Sequence, residues 1–145
     1  MCGHPASGKT FFVNKLVKFL VEQKSFSPSD IEVINEERFN LKRSEIYSSS
    51  QCEKNHRAFL RSNVEKMISD SKLIILDSVN FIKGYRYELY CIAKSVKTSY
   101  CVILCNAASS EIEHFNSSRE DKYPSEILLD LKSRMEKPSL NNRWD

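Results

Sequence analysis

Eight residues near the start of the chain, Gly3-His4-Pro5-Ala6-Ser7-Gly8-Lys9-Thr10, constrain the fold more tightly than anything else in the sequence. They satisfy G-x-x-x-x-G-K-[ST] at every defined position and run straight into a segment of helical periodicity, the context that motif requires. The residue types have a physical reason. Glycine lets the backbone turn its N–H groups inward around a β-phosphate, and the start of the following helix adds its partial positive charge. Lys9 is then placed to reach the β- and γ-phosphates, and the Thr10 hydroxyl to ligate Mg²⁺. Residues 3–10 are therefore expected to cradle ATP with Mg²⁺.

The remaining periodicity supplies the frame for such a loop. Phe12, Leu16, Phe19 and Leu20 recur at helical spacing and predict a helix over 9–23, broken over 24–30 by Pro28 and several serines. Ile31, Val33 and Ile34 read as a short strand that ends at the acidic pair Glu36 and Glu37. After a serine-rich stretch over 44–51, Ala58, Leu60, Val64, Met67 and Ile68 share one side of a predicted helix over 53–70. The unbroken apolar run from Leu73 to Leu76, closed by Asp77, is what a strand buried on both faces of a parallel sheet looks like. A helix over 85–95, a strand over 100–105 and a helix over 126–136, stopped by Pro138, complete the pattern. Alternating strands and helices make βαβ units, whose ligands sit at the carboxyl ends of the strands. The expected fold is α/β: a three-layer α/β/α P-loop NTPase with a mostly parallel sheet.

A chain of 145 residues suits one domain, residues 1–145. Only Met1 and Cys2 precede Gly3, so the strand that should lead into the P-loop is expected to be cut short, and another is expected beyond Asp145. No apolar run is long enough to cross a bilayer and nothing resembles a secretory leader, which points to a cytosolic or nuclear home. Cys2, Cys52, Cys91, Cys101 and Cys105 form no C-x-x-C pair and are expected to be free and mostly buried. With His4, His56 and His114 scattered, no zinc-ligand spacing arises. The net charge of +3 decides nothing about nucleic acid, and Lys54, His56, Arg57, Arg61 and Lys66 read as a solvated helix face before they read as an RNA-binding stripe.

Asp77, at the end of the buried strand, is placed to hold a metal-bound water beside Thr10. Glu36 or Glu37 occupies the position from which small P-loop kinases orient or deprotonate an attacking hydroxyl. Arg119 and Arg134 fall in the region expected to close over the nucleotide, where a guanidinium can stabilise a transferring phosphoryl group.

Three segments together carry a family likeness: residues 3–10, residues 76–91 (Leu-Asp-Ser-Val-Asn-Phe-Ile-Lys-Gly-Tyr-Arg-Tyr-Glu-Leu-Tyr-Cys) and residues 134–145 (Arg-Met-Glu-Lys-Pro-Ser-Leu-Asn-Asn-Arg-Trp-Asp). On these the chain resembles the Elongator-associated P-loop family known as killer-toxin-insensitive protein twelve, itself similar to phosphoseryl-tRNA kinase. The resemblance implies an ATPase that binds tRNA and supports Elongator in modifying wobble uridines, with Gly3 to Thr10 on the nucleotide and Asp77 serving Mg²⁺. It also implies a role near the nucleotide for Asn80, Lys83, Gly84 and Arg86, and a tRNA-binding C-terminal domain that is expected to lie outside residues 1–145. The family tends to carry aspartate where this chain has Glu36. A kinase acting on a tRNA-linked or small-molecule hydroxyl is the alternative, and a binding module without turnover is a third reading.

Overall fold

The computed structural model describes residues 1–24 and 26–145. Helix α1, Lys9–Lys24, begins where the P-loop ends. The predicted break after it contains Ser25, which lies outside the described residues; the 3-10 turn Pro28–Asp30 then leads into strand β1, Ile31–Asn35. A one-turn helix α2, Arg43–Ile46, follows, and then α3, Ser50–Met67. The serine-rich stretch is thus a helix start: the Ser49 hydroxyl accepts from the Cys52 N–H at 3.2 Å and caps α3.

Strand β2, Leu73–Asp77, pairs in parallel with β1 from Ile31 opposite Leu73 to Asn35 opposite Asp77. A parallel pair needs a crossover, and α3 lies within it. Alternating side chains then divide the sheet between two layers. Ile31, Val33, Leu73 and Ile75 pack with Val13, Leu16, Val17 and Leu20 of α1. Ile34, Ile74 and Leu76 pack on the other side with Leu60 and Val64 of α3 and with Tyr85 and Leu89 of α4, Lys83–Ser95. Each such buried aliphatic side chain contributes roughly 2 kcal/mol. The three-layer α/β/α expectation therefore holds, and the register delivers Glu36 and Asp77 to the same carboxyl edge.

The first residues run beside β2 as well. Met1 N donates to the Leu76 carbonyl at 2.9 Å, Cys2 N to the Ile103 carbonyl at 2.8 Å, and Cys105 N to the Cys2 carbonyl at 2.8 Å. The strand predicted over 100–105 is reduced to this one parallel bridge, Cys2 with Leu104. Leu104 finds its partner at Cys2, after which Gly3 turns away into the P-loop and the ladder stops.

Helices α5, Ser109–Ser117, and α6, Ser125–Ser133, close the fold. Ile112, Tyr123, Leu128 and Leu131 pack with Ala6, Tyr47, Val79 and Phe81, so this helical pair is anchored directly on the P-loop side of the sheet. All five cysteines are free, but among them Cys2 is buried, Cys52 and Cys105 are partly exposed, and Cys91 and Cys101 lie at the surface, against the expectation that most are buried. Cys101 is exposed because its segment is not a sheet strand. No helix among the described residues is long and apolar enough to cross a membrane.

Candidate nucleotide site at the head of α1

The loop that precedes α1 is shaped by backbone needs. At Gly3, φ is +150° and a Cβ would be driven into the Cys105 carbonyl oxygen; Gly8 has φ +81°. Only glycine meets the first condition without moving the neighbouring chain. Ala6, at φ 55°, completes the turn. Residues 6–10 line a cavity of about 370 Å³, whereas Gly3, His4 and Pro5, expected to hold nucleotide as well, are not part of its lining. In the loop, Ser7 Oγ and His4 Nδ1 have no hydrogen-bond partner.

Lys9 is buried and folds back on the loop, its ammonium donating to the carbonyls of His4 at 2.6 Å and Gly3 at 3.3 Å. Burial pushes its pKa below the ordinary lysine value, against the opposing charges of Glu36 and Asp77. A lysine satisfied only by two carbonyls gains more from phosphate oxygens, which supply charge as well as lone pairs. Asp77 closes the floor of the cavity at the end of β2, buried at 5% exposure. Burial raises its pKa, while a hydrogen bond from Thr10 and the charge of Lys9 act to lower it.

Thr10 and Asp77 are thus neighbours, a hydroxyl and a carboxylate facing one cavity. This donor set suits Mg²⁺, which takes one or two protein oxygens, keeps several waters and uses phosphate oxygens for the rest. Among the described residues no group of three or more His, Cys, Asp or Glu is arranged to hold a metal, so an all-protein cage is not on offer.

Around the rest of the cavity the structure sorts the predicted residues. Glu36 lines it and is buried; its Oε1 accepts from the Tyr47 hydroxyl at 2.7 Å and the Ser78 hydroxyl at 3.0 Å, and its Oε2 from the Tyr123 hydroxyl at 3.3 Å. Burial and the adjacent Glu36 charge hold the Tyr47 and Tyr123 phenols well above their usual pKa. Glu37 and Arg119 also line the cavity.

Arg134 does not. It lies over the Phe81 ring and pairs with both oxygens of Glu53, at 2.6 and 3.1 Å, and with Asp130. Asn80, Lys83, Gly84 and Arg86 are likewise away from the cavity. The Asn80 amide donates to the Met1 carbonyl at 2.7 Å, and Arg86 is tied to the Asn80 carbonyl at 3.0 Å and to Asp145 at 2.6 Å. On α3, His56 is buried while Arg57 and Arg61 pair with Glu53, Glu65 and Glu88, so that face is not an unpaired basic stripe.

Sequence reasoning missed Arg43, Tyr47, Ser78 and Tyr123. Ser78 adjoins Asp77 and could have been included on that ground; Arg43 opens the one-turn helix α2, Tyr47 follows it and Tyr123 precedes α6, none of them within a motif.

A phosphate cradle opening a helix, a lysine within it and a hydroxyl–carboxylate pair at the end of the neighbouring parallel strand define a P-loop NTPase. Within that class the whole chain, residues 1–145, matches the family described as chromatin associated protein KTI12, and it belongs to that family. It is 40% identical to the KTI12 homolog of Arabidopsis thaliana, with 100% of this chain and 49% of that protein covered. To KTI12 of Saccharomyces cerevisiae it is 36% identical, covering 99% of this chain and 47% of that one. The crystal structure of Chaetomium thermophilum Kti12 in complex with ADP-AlF3 superposes with a TM-score of 0.89 at 31% identity, over 99% of this chain and 82% of that one. The chain thus spans about half the length of the curated relatives it matches.

Proposed function

We propose that residues 1–145 form the nucleotide-binding part of an ATP-hydrolysing regulator of Elongator-dependent modification of wobble uridines in tRNA. The observation that carries the nucleotide half is the convergence of Lys9, Thr10 and Asp77 on one cavity under a glycine-dependent loop. The ADP-AlF3 held by the Chaetomium relative supports it. In this reading residues 3–10 bind ATP and Thr10 and Asp77 hold Mg²⁺, which when bound neutralises charge on the phosphates. Arg119 is the arginine set to stabilise the transferring phosphoryl group. The Elongator and tRNA half is supported by the family's long motifs at 76–91 and 134–145, and the family's description as chromatin associated supports a nuclear location.

Phosphoryl transfer to a hydroxyl is the weaker reading. It needs Glu36 or Glu37 to take a proton, and the Glu36 oxygens already accept from three hydroxyls. The test is ATP turnover with and without bulk tRNA, beside Asp77→Ala. Phosphate release that rises with tRNA and vanishes in the variant supports the reading, and a phosphorylated acceptor would replace it with the kinase. Lys9→Ala, folded, is expected to lose ATP affinity by about a hundredfold, because it removes the main charged contact to phosphate. Unchanged affinity in that variant would remove the P-loop assignment itself.

A further inference from the structure

Around Glu36 the chain builds more than a base would need. An ionised carboxylate has about four lone-pair directions. Here Tyr47 and Ser78 take two on Oε1, Tyr123 takes one on Oε2, and the Arg43 Nε stands 3.6 Å from the same Oε2. Two of these partners also hold the segment between α5 and α6. Its base is closed by Asn116, whose side chain donates to the Tyr123 carbonyl and accepts from the Tyr123 N–H, both at 2.9 Å. Its flank is held by Arg43, whose guanidinium donates to Asp121 at 2.6 Å and lies 5.4 Å over the Tyr123 ring. Between these two fixings sits Arg119, which lines the same cavity as Lys9 and Thr10. The cavity's ion pairs belong to Arg43; none among the described residues belongs to Arg119.

We infer that Glu36 is a dock: through Tyr123 and Arg43 it holds loop 118–122 against the cavity and so delivers the Arg119 guanidinium to the phosphate end. Tyr123 and Arg43 are then positioning residues that act through Arg119. The physical case is one of prepaid entropy. An arginine on an untethered loop must be ordered at the moment of reaction, and a guanidinium stabilises developing charge only when it is already in place. The dock's contacts come from three separated segments: Arg43 and Tyr47 at α2, Ser78 just after β2, and Tyr123 just before α6. Losing one of them should loosen the loop without unmaking the P-loop.

The catalytic part of this inference rests on the hydrolytic reading above, so the test pairs a turnover measurement with one that needs no turnover. Tyr123→Phe removes only the hydroxyl that reaches Glu36, and Asp121→Asn serves as the second variant should the first fold poorly. In the nucleotide-free chain, amide hydrogen exchange over 118–123 is expected to quicken about tenfold in Tyr123→Phe, the loss of one buried hydrogen bond, while exchange in α1 and β2 stays as it was. Unchanged exchange in both variants overturns the dock. In turnover, Tyr123→Phe is expected to lower kcat about tenfold with ATP affinity unchanged, and Arg119→Ala with Tyr123→Phe to be no slower than Arg119→Ala alone. Losses that multiply in the double variant would show that Tyr123 does not act through Arg119 and would overturn the assignment. A wild-type chain that binds ATP without turnover, yet loosens at 118–123 in Tyr123→Phe, keeps the dock and removes the hydrolytic reading instead.

Discussion

Among the arginines of this chain that pair with carboxylates, Arg86 and Arg43 do opposite things. Arg86 sits behind the sheet with its side chain 1% exposed, against an Asp145 side chain at 0%. It joins α4, the turn after β2 and the last residues into one seam. Arg43 sits in front, 13% exposed, shared between Glu36 and Asp121 beside an open cavity. The rear pair is closed to solvent, and its arginine borders a separate cavity of about 370 Å³ that Asp145 does not line. The front group is one wall of a space into which Lys9 and Asp77 also point. Buried polar groups of similar composition therefore read as structure or as function according to whether the P-loop shares their cavity, and residue type alone does not separate them.

The sharpest way to break that comparison is at the rear. Arg86→Leu leaves Asp145 buried without its partner, and stranding one member of a buried pair costs about 3–5 kcal/mol. Urea unfolding of the variant should show that loss. Among molecules still folded, ATP affinity should be unchanged, since Arg86 does not line the cavity. A variant of normal stability with impaired nucleotide binding would return Arg86 to the role near the nucleotide that the family resemblance implies.

The parts of this molecule that were legible in the sequence are those whose cause is local. Gly3 and Gly8 are fixed by backbone shape, and the periodicity of α1, α3 and β2 is written in consecutive residues. Asp77 could be placed because it ends an apolar run. The Glu36 cluster was hidden because its members meet only in three dimensions: Tyr47 is 11 positions away, Ser78 42 and Tyr123 87. Arg134 illustrates the reverse error. Its position beyond the last strand suggested closure over phosphate, but nothing in the sequence shows that Glu53, 81 positions earlier, faces it. The strand over 100–105 failed for a related reason, since apolar residues propose a strand and only a partner makes one. Helix α5 was missed because it buries little, with Ile112 and Asn116 its only buried residues.

At the front the sign of the stability effect should reverse. Burial raises the Asp77 pKa above its ordinary 3.8, so the fold disfavours the ionised form. For a carboxyl shifted upward, the penalty is absent below the unfolded value, develops as pH rises from there through the folded value, and is complete above it. Asp77→Asn removes a titrating group and should make the nucleotide-free chain more stable at neutral pH by about 1 kcal/mol, the common scale of gain when a functional residue is relieved of its task. The advantage over wild type should shrink on acidification toward pH 3.8. Thermal melts at several pH values would show it, and an advantage that is constant or grows in acid would mean that burial is not what strains Asp77.

Arg134 offers the smallest effect and tests whether the cavity's boundary is drawn correctly. Its side chain is 37% exposed, so its pairs with Glu53 and Asp130 are partly screened by water. Arg134→Lys gives up the two-pronged grip on Glu53, which a point-charge ammonium cannot reproduce. Solvent screening discounts the loss to about 1 kcal/mol or less. Turnover and ATP affinity should move by less than about twofold if the arginine never visits the phosphates, because only a contact made in the transition state would change kcat. A fall in kcat well beyond the stability change would instead mean that α6 swings inward when nucleotide binds, exchanging Glu53 for phosphate. The wall between the front cavity and the surrounding ion-pair network would then be movable rather than fixed.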